Sequence, residues 1–339
     1  MSERNKLNTA RIFHSTAFSP GHITGFFEPF ISEGNPLSCG SRGAGLCISL
    51  GAKSTVCVII SDDVEDKRGI VNNAATAKRL KCYINGVLSY APVTRKAIEL
   101  LLENKLSRCN RRRRYRIKDI IVSTNLDLPV SQGFGMSGAG ALSASLAFAD
   151  ILNKITGSRI RHLDAAAAAH TAEVTSRTGL GDVVAQTAGG WEFRLKPGFP
   201  PFGKLVQPQI GYKKTIIIST VGKEIKTKNT LSDERKREWI KTVGAGCIKE
   251  FQRRQSLDIF FKISNEFTLE TGLRTPETDE VLKKLNKYGF AAQSMLGNSV
   301  FAVGDVGEMT DIMRKYGRVY ICEFGDRAAV VNRCNNIKP

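Results

Sequence analysis

The sequence has little of what metal sites, disulfide scaffolds and membrane proteins are made from. Its four histidines, His14, His22, His162 and His170, are too few and too separated for a convincing metal centre. Eight cysteines (Cys39, Cys47, Cys57, Cys82, Cys109, Cys247, Cys322 and Cys334) form no C-x-x-C pair and no Cys/His cluster, so they read as free, mostly buried thiols without redox or zinc chemistry. No apolar run approaches the roughly 20 residues needed to span a bilayer, and MSERNKLNTARIFHS lacks the apolar stretch of a signal peptide. The expectation is a cytoplasmic protein that does not use a membrane.

What is present is an ordinary globular composition, 42% hydrophobic and 24% charged, in a chain of 339 residues. That length exceeds what one core usually supports, so two domains are expected. The formal charge is +18, concentrated in KLSRCNRRRRYRIK, Lys105 to Lys118, with eight basic residues and no acid. This run, with Arg111 to Arg114 at its centre, lies between the apolar segments IELLLENKL and DIIVSTNLDLPV and reads as a solvated loop joining a helix to a strand. Few aromatics stand beside it to stack on bases, which speaks against nucleic acid; ATP and an acidic small molecule suit the same positive surface.

Along the chain, ARIFHSTAFSPGHITGFFEPF contains the turn signal Pro20-Gly21, and GLCISLGAKSTVCVII reads as a pair of strand-like runs. APVTRKAIELLLENKL and HLDAAAAAHTAEVTSRTG have helical character, and DIIVSTNLDLPV is a strand leading into the most informative segment, LPVSQGFGMSGAGALSASLAFADIL. After the Pro-rich stretch KPGFPPFGKLVQPQIGY the pattern restarts with KTIIISTV, placing a boundary near residue 205 between domains 1–205 and 206–339. Helical segments follow from Ser232 to Glu270 and from Thr278 to Tyr288, then strand-like SVFAVGD and RVYICEFG. Two α+β halves are expected.

Gly133, Gly135, Gly138 and Gly140 crowd the entrance to the predicted helix, where close backbone approach, unpaired N–H donors and the helix dipole favour a phosphate. Three groups complete a kit for phosphoryl transfer: Ser137 in the loop, Glu173 three residues beyond His170 on a helix, and Asp182 between turn-forming glycines in TGLGDVVAQTAGG. Each has a bland counterpart. Ser137 could act as a helix N-cap, Glu173 as a solvated helix residue, Asp182 as a turn brace; His170 reads as packed or capping rather than catalytic.

The segment PVSQGFGMSGAGAL resembles the central motif of the GHMP kinases, SPGHITGFFEPF their N-terminal motif, and TGLGDVVAQTAGG the segment bearing their catalytic aspartate. Within that family, PGHITGFFEP, CGSRGAGLCISLG, AHTAEVTSRTGLGDV and ISTVGKEIKTKNTLSD resemble the archaeal pantoate kinases, from about Ala10 to Leu231 and more weakly beyond. The resemblance implies an N-terminal ribosomal-protein-like domain, a C-terminal ferredoxin-like domain and an active site in the cleft between them. It implies that Gly133, Phe134, Gly135, Met136, Ser137, Gly138, Ala139 and Gly140 wrap the ATP phosphates. Ser137 and Glu173 then fall at Mg²⁺-ligand positions and Asp182 at the catalytic base. The implied reaction is ATP-dependent phosphorylation of pantoate to 4-phosphopantoate in coenzyme A synthesis. Rival readings are a GHMP kinase for shikimate, homoserine or mevalonate, a non-catalytic metabolite sensor, or, more weakly, an RNA-binding protein using the arginine run.

Two departures stand out. His22 replaces the lysine that many relatives carry in the N-terminal motif, so the task of polarising the substrate hydroxyl falls to His22 or is absent. The third motif, usually Gly-rich, is here AAQSMLGNSVFAV with only Gly297. For the substrate carboxylate, Arg42 in CGSRGAG is the expected anchor and Arg177 its competitor. Oligomeric state is not encoded legibly, which leaves a homodimer open.

Overall fold

The computed structural model describes residues 10–61, 79–106, 116–208, 214–224, 233–324 and 328–332. Arg111 to Arg114 lie outside the described residues. The fold starts from two long antiparallel strands, β1 (Ala10–Phe30) and β2 (Gly40–Ser61), paired from Ala10↔Ser61 to Phe30↔Gly40. The two strand-like runs expected in GLCISLGAKSTVCVII are one strand, because β1 pairs with β2 on both sides of a register shift, Gly21↔Ile48 and Pro20↔Gly51. Pro20-Gly21 is correspondingly not a turn but a shift of register inside β1, a β-bulge, one of the few sheet positions that tolerates a proline.

The first residues of β1 alternate between exposed and covered, whereas Ala17 to Pro29 are buried on both faces. Helices on each side explain the change. On one side lie α1 (Pro92–Leu106), α2 (Met136–Thr156), α3 (His162–Thr175) and the short α4 (Asp182–Ala188); on the other, α5 (Glu234–Arg253) and α6 (Leu257–Glu270). In α2, fifteen of 21 residues are buried, so its Ala, Ser and Gly content lets neighbouring elements pack close to its backbone.

The main sheet runs β4-β3-β5-β2-β11-β8-β10-β9, with β3 (Leu80–Ile84), β4 (Val87–Ser89), β5 (Arg116–Leu126), β8 (Lys214–Thr220), β9 (Gly289–Gln293), β10 (Ser299–Gly304) and β11 (Val319–Phe324). Strands β1, β6 (Trp191–Lys196), β7 (Lys204–Val206) and β12 (Val330–Asn332) join off this path, and β3–β5 is the parallel pairing. The chain is thus α+β, and its two halves share a sheet through the Phe324↔Ile48 contact of β11 with β2. The position of the boundary expected near residue 205 falls on β7. The expected Thr278–Tyr288 helix is α7 (Pro276–Leu285), begun earlier because the Thr275 side chain accepts from the Thr278 N–H and Pro276 occupies the first turn. Helix α8 (Val306–Arg314) completes the described elements.

A cluster of aromatic rings ties the halves together. Phe26 of β1 and Phe193 of β6 meet Phe251 of α5 edge-on at 5.5 and 5.1 Å, and Phe260 of α6 contacts Phe26, Trp191 and Phe301. Such pairs fix geometry as well as bury area. No described helix is long and apolar enough to cross a membrane.

Candidate active site

The Gly-rich segment turns sharply before α2. Gly133 and Gly135 have φ of 82° and 62°, the left-handed region that glycine occupies without strain, and Gly135 is the helix N-cap. Ser137 is therefore not the cap: it sits one residue inside the helix, half-buried, and lines a cavity of about 450 Å³. Phe134, Met136 and Ala139 turn their side chains into the core, so within this loop they offer a ligand their backbone rather than their side chains. With no cap side chain on Gly135, the first N–H groups of a 21-residue helix face the cavity end as a ready anion site.

Glu173 is not a solvated helix residue. It is 1% exposed on α3, and neither carboxylate oxygen makes a hydrogen bond of good geometry; the Val183 N–H approaches only as a weak contact. Two glycines make room for it. A Cβ on Gly138 would lie 2.7 Å from Glu173 Oε1, and one on Gly179 would overlap the same oxygen while standing 3.0 Å from Asp182 Oδ2. Burial, reinforced by the charge of Asp182, pushes the Glu173 carboxyl well above the usual range. A buried, unpartnered carboxylate beside the first turn of the phosphate-loop helix fits a cation as its missing partner, with Ser137 as a second oxygen.

Asp182 is the first residue of α4, following Gly181, and its carboxylate is 22% exposed at the cavity wall. Rather than bracing its own turn, it is held from behind: His22 Nδ1 is 2.7 Å from Asp182 Oδ1, and His22 Nε2 is 3.0 Å from Glu192 Oε1. Arg194 pairs with Glu192, and its Nε has no partner. A Cβ on Gly181 would sit 2.8 Å from that Nε and 2.6 Å from Ser41 Oγ. Glu192 and Arg194 were missed in the sequence. They are two apart on β6 and so share a face of the strand, but a Glu-x-Arg spacing in a strand carries no chemical signature of its own.

The two buried histidines contrast. Burial opposes the charge of His22, but the hydrogen bonds and charges of Asp182 and Glu192 outweigh it and raise its pKa. His170 has no such neighbours; burial lowers it to about 4 while its ring bonds the Cys39 carbonyl at 3.0 Å and packs against Phe199, so it is a packed residue.

The expected carboxylate anchors lie elsewhere. Arg42 Nε donates to Glu28 at 2.6 Å and its guanidinium covers the Phe30 ring, so its neighbour Ser41, not Arg42, lines the cavity. Arg177 is exposed on the turn after α3, with a positive φ of 55°, and is likewise absent from the lining. Arg194, buried and also absent from the lining, lies beside Ser41 against Gly181.

The third motif contributes although it keeps a single glycine. Met295 N–H donates to the Thr24 carbonyl at 2.9 Å, and a Cβ on Gly297 would overlap the Gln132 carbonyl and Gly133 N. The segment from the C-terminal half is pressed against the start of the phosphate loop, and Met295 and Leu296 form part of the cavity. Gly297→Ala is accordingly expected to displace the loop and raise KM for ATP by about tenfold, near 1.4 kcal/mol. Steady-state titration of ATP checks it; an unchanged KM would remove the brace.

A profile described as the GHMP kinases N terminal domain matches residues 93–190. The pantoate kinase of Methanocaldococcus jannaschii is 31% identical over 312 residues, 91% of this chain and 99% of that protein. The pantoate kinase of Methanospirillum hungatei is 30% identical over 316 residues, 90% of this chain and 92% of that one. Among solved structures, a protein described as a phosphotransferase related to the CoA biosynthesis pathway superposes with a TM-score of 0.75 at 26% identity, covering 96% of this chain and all of that one. A homoserine kinase from Cytophaga hutchinsonii shares the fold at a TM-score of 0.62 and 15% identity, covering 98% and 100%. With the phosphate loop, the buried Glu173 and the cavity-facing Asp182 in place, the chain belongs to the GHMP kinases, an ATP-dependent family, and within them is most similar to the pantoate kinases.

Proposed function

We propose that this protein transfers the γ-phosphoryl group of Mg²⁺-ATP to the terminal hydroxyl of pantoate, giving 4-phosphopantoate on the archaeal route to coenzyme A. The observation that carries the reading is Asp182, a carboxylate held by a buried histidine and turned to the same cavity that the phosphate loop lines. The similarity to pantoate kinases over nine-tenths of the chain supplies the acceptor.

In this reading the purine rests on the apolar wall built by Ile84, Ala91, Pro92, Val93 and Val130, and the phosphates run along Gly133 to Gly140 to the N-terminus of α2. Ser137 and Glu173 would hold the divalent cation, which when bound neutralises charge on the phosphoryl oxygens. Asp182 accepts the proton of the acceptor hydroxyl as its oxygen bonds to the γ-phosphorus and ADP leaves. The acceptor enters against Thr24, Ser41, Thr178 and Leu180. Its carboxylate lies toward Ser41, behind which the Arg194 guanidinium, paired with Glu192, lies buried.

A panel of hydroxy acids and alcohols with Mg²⁺-ATP, read by ADP release and by ³¹P NMR of the product, tests the reading. Pantoate is expected to give the highest kcat/KM and a phosphate ester at its terminal hydroxyl. Faster turnover of homoserine, shikimate or mevalonate would assign another acceptor, and ATP binding without turnover of any would return the protein to a sensor.

A further inference from the structure

His22 has no exposed surface, so it cannot touch an acceptor in the cavity, yet it is among the most constrained side chains of the molecule. Its backbone N–H donates to the Phe134 carbonyl at 3.0 Å, tying β1 to the phosphate loop. Its ring lies between two carboxylates on different elements, Asp182 of α4 at 2.7 Å and Glu192 of β6 at 3.0 Å. Gly45 of β2 faces it, and a Cβ there would overlap Nε2. A neutral imidazole has one N–H and would set a lone pair against one of these oxygens; the doubly protonated ring donates to both.

The surrounding charges fit that state. Asp182 and Glu192 carry two negative charges, and a protonated His22 with Arg194 carries two positive ones. Cys47 of β2 stays a thiol, pushed up well above its usual range by burial and by the charges of Glu192 and Asp182. With His22 charged these four groups balance, and a buried charge persists where its partners are both close and opposite.

We propose that His22 is a positioning residue that acts through Asp182: donating from both ring nitrogens, it joins the base to Glu192 and Arg194 and aims the free carboxylate oxygen at the cavity. This rests on Asp182 being the base. The role of polarising the substrate hydroxyl, open on sequence grounds, is thereby replaced by action from behind the base rather than on the acceptor.

Two measurements decide it. With ring-¹⁵N-histidine, only four side chains report, and the resonance lost in His22→Asn is expected to show a doubly protonated ring at pH 8, whereas that of His170 shows a neutral one. In His22→Asn the amide nitrogen replaces Nδ1 as donor to Asp182 but carries no charge and cannot reach Glu192. Its kcat should fall about 100-fold with KM for ATP and pantoate little changed, because misaligning a reacting group costs on that order. A neutral His22 ring in the wild-type protein overturns the proposal even if the variant fails to fold. A charged ring with unchanged kcat in a folded His22→Asn overturns its catalytic part. Asp182→Asn separates the two readings: if that variant turns over normally the base assignment fails, while the wild-type NMR signature still reports the bridge.

Discussion

Asp182→Asn is expected to lower kcat by about 10²- to 10⁴-fold, the usual contribution of a positioned general base, while ATP binding stays nearly intact. Asn has the same shape and still accepts from His22 Nδ1 through its side-chain oxygen, so the hydrogen bond that holds residue 182 at the cavity wall need not be lost. What disappears is the ability to take the hydroxyl proton. In the proposed binding mode the ATP phosphates rest on backbone donors of Gly133 to Gly140 and the α2 N-terminus, none of which the change touches. Measuring kcat together with the ATP dissociation constant on one preparation distinguishes the outcomes: a near-normal kcat would mean that catalysis rests on positioning and electrostatics alone.

Glu173→Gln should raise the Mg²⁺ concentration for half-maximal rate by about tenfold or more and lower kcat at saturating metal, with Ser137→Ala acting in the same direction more weakly. Both oxygens of Glu173 are buried without a good hydrogen bond, an arrangement that costs stability unless a ligand completes it. An isosteric amide removes the charge and keeps the volume between Gly138 and Gly179, so Tm is expected not to fall even as metal affinity weakens. Titrating Mg²⁺ at saturating ATP reads the first effect and a thermal melt the second. Unchanged metal dependence in both variants would leave Glu173 as a buried acid of another role.

Much of the fold was legible because local chemistry and tertiary context agree. The glycines before α2 and the hydrophobic strands β8, β10 and β11 follow the same rules in the chain as in the structure, whereas the helix expected from Thr278 starts at Pro276 with Thr275 as its cap. Pro20-Gly21 misled because a turn and a bulge use the same residues; only an unbroken partner strand distinguishes them. The single strand β2 was read as two for the same reason. Arg42 misled because a guanidinium beside glycines suits a ligand carboxylate and Glu28 equally well, and Glu28, fourteen residues away in sequence, is its direct partner across β1 and β2.

By itself the sequence determined that this chain carries a glycine-rich turn at a helix start and the residue types a phosphoryl transfer requires, since turn geometry and helix-end donors depend on residues adjacent in the chain. Only the tertiary structure decided how those residues act. Asp182 faces the cavity because a histidine 160 residues earlier holds it, Glu173 is a buried orphan because two glycines vacate the space around it, and Glu192 with Arg194 enters the site from β6. Burial, charge balance and partner identity are properties of surroundings assembled from distant segments, and no local pattern encodes them.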